Sequence, residues 1–428
     1  MTAINGLDQW ITSLDERLFI PRETTGQRVC PVHLDGRCDH TPSSKQPSCV
    51  SKVNLYRNSR LPSDLPQLRL DPSAHGMVSL AAQYSHRVYQ RSVRADKKSY
   101  VAPNLRHGTK AMVLDSSAID SMATVVLAIR GTQSFKDWLV NMRTEPKRPE
   151  GYLDDPSNTC HAGFLRALKR MVNPVTERLR RLLDDNPHYE SYSLLITGHS
   201  AGGAVASLLY CHLLAMEVSS ELTELSRRFQ RVHCVTFGAP PCTLRPLFPT
   251  PSPESEHSLF YAFINEGDPV PRADKAYVRS LLSLYAAPAP SSLISRTYDT
   301  MTRKVDRSSD WKIPPAQLSL AGQLVILRRK NSNWDTTTEV DTLTADPDDI
   351  DACLTTDEVV REVVFGDPAM HMMSVYARRI GEIEIAEVRT SELRRRVGRR
   401  MVVRKVKDVI RSRDSDSVGG EDGYIEKE

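Results

Sequence analysis

Ser200 lies in the run LLITGHSAGGAVASLL, residues 194–209, flanked by Gly198 and Gly202 in the pattern Gly-x-Ser-x-Gly. Five letters of this kind arise by chance, so their surroundings decide what they mean. LLIT has the length of a buried strand, and AVASLLYCHLL reads as an apolar helix. A serine on such a strand-turn-helix corner is held out at the carboxyl end of a sheet, where its hydroxyl can attack a carbonyl carbon. Gly198, Gly202 and Gly203 suit the corner because a Cβ at these positions would obstruct the close approach of helix to strand; His199 fills the variable place before the serine. An ordinary glycine-rich turn is the plainer reading of the five letters.

A serine hydroxyl is a poor nucleophile at neutral pH, so a base must take its proton and a carboxylate must orient that base. On this kind of corner the partners follow in the order acid, then histidine. Asp268, in INEGDPVPR, comes directly after the strand-like LFYAFI; Glu266 and Asp274 are the alternatives, and a loop aspartate often merely caps a turn. His233 and His257 precede Asp268, whereas His371, in FGDPAMHMMSVYARRI, follows it and opens an expected apolar helix. Taken alone, a histidine among methionines reads as a packed core residue. The tetrahedral oxyanion needs donors as well: LAIRGTQSFKDWL ends a strand at Gly131, so the Thr132 N–H could serve beside the N–H of Ala201. Each such donor typically contributes about 2.7 to 4 kcal/mol.

These groups need a scaffold. MVSLAAQYSHRVYQ has helical spacing, KAMVLD and ATVVLAIRG are strand-length apolar runs, and Phe164, Leu168, Met171, Val172, Val175, Leu179 and Leu182 form one helical stripe. YSLLITG, RVHCVTFGAP and LFYAFINEGDPV alternate with helices, which implies a mostly parallel sheet covered on both faces. Three regions follow: an N-terminal extension over 1–75, partly irregular and rich in Pro and Ser; an α/β body over 76–386; and a charged tail over 387–428. Within the body, 272–365 reads as an elaboration containing the strand-like AGQLVILRR and the acidic loop ADPDDIDA.

The net charge of +4 is too small to imply a nucleic-acid binder. It is unevenly spread: Arg389–Arg413 is strongly basic and the last fifteen residues are acidic. The amino terminus lacks the pattern of a secretory signal and no apolar run is long enough to span a bilayer, so a soluble intracellular, cytoplasmic protein is expected. Eight cysteines in such a chain are expected as thiols. Cys30, His33, Cys38, His40 and Cys49 cluster without a recognisable zinc spacing, so no metal site is expected there.

Six pieces in order, LAIRGTQSFKDWL, CHAGF, ITGHSAGGAVASL, VTFGAP, NEGDPVPR and DPAMHMMSVY, together resemble the class 3, fungal-type lipases. The resemblance covers about residues 76–386. It implies an α/β-hydrolase fold, a Ser200–Asp268–His371 triad, an oxyanion hole of Thr132 and Ala201, and no cofactor or metal. The long Asp268-to-His371 separation resembles diacylglycerol-lipase-type intracellular members. Phe135, Trp138, Leu139 and Met142 lie at i, i+3, i+4 and i+7, one apolar helix face where this family carries its lid; the same face would equally suit permanent core. The expected function is hydrolysis of acylglycerols or related lipid esters through an acyl-enzyme. A catalytically silent binding scaffold and an esterase on small non-lipid esters are the alternatives. The basic segment could add attraction for an anionic membrane or lipid-droplet surface, against the plainer reading of a solvated charged helix.

Overall fold

The computed structural model describes residues 52–89, 100–101, 112–119, 122–131, 145–287, 310–330 and 350–383. Among the described residues eight strands form one sheet in which spatial order follows chain order. They are β1 (Tyr100–Val101), β2 (Met112–Ile119), β3 (Met122–Ile129), β4 (Ser193–His199), β5 (Arg231–Phe237), β6 (Phe260–Asn265), β7 (Gln323–Arg329) and β8 (Ile350–Thr355). From β3 to β7 every pairing is parallel; β1, β2 and β8 join antiparallel at the two sides.

The apolar strands are apolar on both sides because both sides are covered. Leu194 and Ile196 of β4 pack into one core while Leu195 packs into the other, as strand periodicity requires. The first core contains α2 (Ala162–Asp185), α3 (Ala201–Leu213) and α4 (Glu221–Ser226). The second contains α1 (Pro72–Arg87) and α6 (373–383), through Met77, Ala81, Tyr376 and Ile380. Asp71 starts α1 by accepting from the Ser73 and Ala74 N–H groups, with Pro72 in the first turn, where its missing N–H costs nothing. The stripe foreseen on α2 buries Phe164, Leu168, Met171, Val175 and Leu179, while Val172 and Leu182 are half-buried at its border. Every residue of α3 is buried, which explains a helix with almost no polar face.

Two details depart from the sequence reading. The end of the expected acidic loop is β8, whose backbone bonds to β7 and whose outer side receives residues 66–68: Leu68 N–H donates to Ala352 O at 2.8 Å, and Leu354 N–H to Pro66 O at 2.7 Å. Backbone pairing on both sides, with Cys353 inward, outweighs the weak strand propensity of Asp351 and Ala352. His371 closes a 3₁₀ turn, Pro368–His371, and the α-helix expected to open there starts two residues later as α6. The elaboration over 272–365 supplies β7, β8 and α5 (Lys275–Ala286). Residues 52–71 include short 3₁₀ turns at Val53–Leu55 and Arg57–Ser59 and lie packed on the body with Val53, Tyr56 and Leu61 buried. Among the described residues no helix is long and apolar enough to cross a membrane.

Candidate active site

Ser200 stands between β4 and α3 with φ 57° and ψ −135°, the one non-glycine residue at positive φ among the described residues. Such backbone costs on the order of 1–3 kcal/mol and persists only where the surroundings enforce it. The Ser200 N–H donates to Phe237 O and the Gly203 N–H to Ser200 O, each at 2.9 Å. A Cβ at Gly198 would lie 2.6 Å from the Gly202 carbonyl, and one at Gly203 3.0 Å from Ala239 Cβ. At Gly202 it would collide with the Ile129 carbonyl oxygen. The glycines therefore set how close α3 approaches β3 and β4. Ala201 is the first residue of α3, so its N–H has no partner within the helix and projects from the helix N-terminus.

Asp268 follows β6 in a turn and is fully buried. Its Oδ1 accepts from the Val270 N–H at 2.9 Å. Its Oδ2 lies 2.9 Å from His371 Nδ1 and accepts the Tyr376 hydroxyl at 2.6 Å. With every other contact a donor, the Asp268 carboxylate accepts the hydrogen bond from His371 Nδ1–H, which leaves Nε2 as the ring nitrogen that can receive a proton. That Nε2 is buried and has no hydrogen-bond partner among the described residues. Burial, and then the Asp268 charge, hold the Tyr376 phenol far above its ordinary range, so it stays a donor. Its oxygen in turn accepts the Asn265 N–H at 3.0 Å.

His199 joins two sides of the site. Its Nε2 lies 2.7 Å from the His371 carbonyl oxygen, which can only accept, so Nε2 carries the proton. Burial, reinforced by His371, pushes the His199 imidazole well below its usual range and keeps it neutral. Its Nδ1 then accepts the Tyr89 hydroxyl at 3.1 Å, and Tyr89 accepts the Gly131 N–H at 3.1 Å. A Cβ at Gly131 would be 3.4 Å from Ser200 Cβ, so β3 ends against the serine.

The other acids are engaged elsewhere: Glu266 accepts the Leu61 N–H at 3.1 Å and Asp274 caps α5 through the Tyr277 N–H at 2.8 Å. His233 is buried in β5, where it accepts the Leu259 N–H and burial lowers its pKa to about 4; His257 is exposed. Thr132 and the apolar face of Phe135, Trp138, Leu139 and Met142 lie outside the described residues, as do the Cys30–Cys49 cluster and the charged tail. Among the described residues no group of three or more His, Cys, Asp or Glu side chains is disposed to hold a metal ion.

Sequence reasoning missed two residues. Gly238, at φ +55°, lies under the pair: a Cβ there would be 2.9 Å from Asp268 Oδ2 and 3.0 Å from His371 Nδ1. Its signal was a glycine directly after β5, level with the end of β4. Tyr376 was visible only as a tyrosine five places after His371, without a reason to face the acid.

A mostly parallel, doubly covered sheet with a serine corner at a strand end and a buried Asp–His pair, the acid just past the end of β6, is the α/β-hydrolase architecture. Residues 126–277 match the family profile described as Lipase (class 3). A lipase of Rhizomucor miehei is 32% identical over 113 residues, covering 26% of this chain and 29% of the relative. The secreted mono- and diacylglycerol lipase 2 of Gibberella zeae is 31% identical over 131 residues, covering 27% and 29%. These alignments thus span less than a third of each relative's length. The solved triacylglyceride lipase of Rhizomucor miehei aligns over 71% of this chain and 94% of its own, at 16% identity and a TM-score of 0.42.

Proposed function

We propose that the protein is a serine carboxylester hydrolase acting on acylglycerols or related lipid esters. The observation that carries this reading is His371, held by Asp268 through Nδ1 with Nε2 unpartnered, and joined through its carbonyl oxygen to His199, the residue before Ser200. The similarity to fungal lipases, one of them called a mono- and diacylglycerol lipase, supports the lipid side of the assignment.

In this mechanism Ser200 Oγ attacks the ester carbonyl carbon while its proton passes to His371 Nε2. Asp268 holds the imidazole in orientation and stabilises the imidazolium. The oxyanion meets the Ala201 N–H and, in this proposal, the Thr132 N–H. Collapse of the intermediate breaks the ester C–O bond, and the imidazolium proton goes to the leaving alcohol. Water, losing a proton to His371 Nε2, attacks the acyl-enzyme, and the proton returns to Ser200 as the acid leaves.

The test is hydrolysis of short- and long-chain glycerol esters, with and without a lipid interface, by the protein and by Ser200→Ala, alongside fluorophosphonate labelling. Long-chain turnover that rises at the interface and vanishes in the variant is expected. Labelling with short-chain turnover only would reduce the proposal to a small-ester esterase; no labelling and no turnover would leave a binding scaffold.

A further inference from the structure

Residues 52–61 precede the α/β body, yet they touch both loops that carry the Asp–His pair. Val53 and Tyr56 are buried against Tyr277, Leu281 and Leu284 of α5 and against Val364. The Val364 N–H donates to Asn58 O at 2.8 Å, and a Cβ at Gly366 would be 2.7 Å from Val53 Cγ2, so the segment sits tightly on the approach to His371. On the other loop the Leu61 N–H donates to Glu266 Oε1 at 3.1 Å, two residues before Asp268, and the Leu61 side chain is buried with Ile264 and Phe365. The loops are tied directly to each other as well: Asp367 N–H to Gly267 O at 2.9 Å, and Asn265 Nδ2 to Met370 O at 2.7 Å.

The segment itself is pinned. Lys52 Nζ donates to the Tyr285 and Ala287 carbonyls at 3.0 and 2.9 Å. Arg57 forms a two-pronged ion pair with Asp310, and Asn58 exchanges two 2.9 Å hydrogen bonds with the Trp311 backbone. A stretch fixed at several points and touching both catalytic loops is placed to set their separation.

We propose that residues 52–61 are a positioning element for the Asp268–His371 pair, acting through Glu266 and the 364–367 segment. This rests on the serine-hydrolase reading above. None of these residues touches substrate; the element holds the acid and the base at the spacing that proton transfer needs. It also gives the glutamate two places before the acid a role distinct from that of the acid.

The experiment compares Glu266→Ala, Glu266→Gln, Asn58→Ala and, as a stability control, Leu222→Ala in the core under α4, all in the full chain. Turnover and KM on a soluble short-chain ester, the rate of fluorophosphonate labelling and thermal unfolding are measured for each. Because displacements of about 1 Å can cost up to about 10²-fold, Glu266→Ala and Asn58→Ala are expected to lower kcat and the labelling rate about tenfold with KM nearly unchanged. Glu266→Gln, which keeps an oxygen acceptor for the Leu61 N–H, should retain most of the activity. Leu222→Ala should lose stability without losing kcat at a temperature where it remains folded. Unchanged kcat in Glu266→Ala and Asn58→Ala, no rescue by glutamine, or an equal loss of kcat in folded Leu222→Ala would overturn the proposal. An intact protein that neither labels nor turns over would overturn the hydrolase reading and this one together, whereas an active protein with indifferent variants overturns this one alone.

Discussion

Alanine at Gly238 probes the Asp268–His371 pair from beneath without removing any functional group. Two costs can be read from the structure. The backbone is at φ +55°, where a residue with a Cβ loses about 1–2 kcal/mol. The new methyl carbon would also lie 2.9 Å from Asp268 Oδ2, 3.0 Å from His371 Nδ1 and 3.1 Å from His371 Cε1, whereas ordinary contact begins at 3.4 Å. The two side chains must therefore recede by about half an ångström, against a carboxylate held by three donors in a close-packed interior. At that displacement kcat should fall by about 10- to 100-fold, or about 1.4 to 2.7 kcal/mol of transition-state stabilisation. KM for a soluble ester should change little, because the ester contacts none of the displaced groups before reaction. Stability should fall too, by several degrees of Tm at roughly 2–4 °C per kcal/mol. Turnover of a soluble ester, thermal unfolding and covalent labelling of Ser200 measure the three effects. Variant kcat within about twofold of the parent, in a folded protein, would refute the reasoning, since the methyl would then fit without moving the pair.

Tyr376→Phe removes a hydrogen bond to a buried carboxylate, about 1.5–3 kcal/mol, and leaves the Asn265 N–H without its acceptor; lower Tm and lower kcat are expected, and a neutral result would remove Tyr376 from the support of Asp268. Ser200→Gly should abolish turnover yet raise stability above that of Ser200→Ala by about 1–2 kcal/mol, because only glycine relieves the positive φ; equal denaturation midpoints would mean the corner carries no strain. Burial lowers the His233 pKa from 6.5 to about 4, so the unfolded chain binds a proton first as pH falls. Its contribution to stability is intact above about pH 6.5 and is lost between there and about pH 4, by at most roughly 3 kcal/mol. His233→Gln, a neutral acceptor for the Leu259 N–H, should flatten unfolding curves across that window; an unaltered pH dependence would exclude His233 as the source.

The strands from β3 to β6 and the helix α3 were legible as apolar runs, and α2 as an apolar stripe at helical spacing, so local pattern and final burial agree. The serine corner was legible because its strand, turn and helix are contiguous and Gly198 answers to Gly202 four places on, although Gly202 and Gly203 answer also to Ile129 and Ala239 far away in the chain. What the sequence concealed depends on partners far away. The strand at Ile350–Thr355 exists through its neighbours, β7 on one side and residues 66–68 on the other. Gly238 matters because of side chains arriving from two other segments, and Tyr376 because a short turn before α6 rotates it toward Asp268. Glu266 and Asp268 looked alike as loop carboxylates; a backbone N–H from Leu61, over two hundred positions earlier, distinguishes them.

The covering of β8 by residues 66–68 also bears on how the chain is made. The backbone edge that completes this side of the sheet joins Leu68 to Ala352 and Leu354 to Pro66, positions 284 and 288 residues apart. During synthesis the earlier half of that contact leaves the ribosome first and must wait for nearly the whole body to follow. Until then its backbone donors have only water or chaperones as partners, and His371 has not yet emerged. Under the proposed mechanism the base, His371, is therefore acquired only after the sheet is nearly finished, so activity appearing during translation would be a late event and a nascent chain cut short before β8 would be inert.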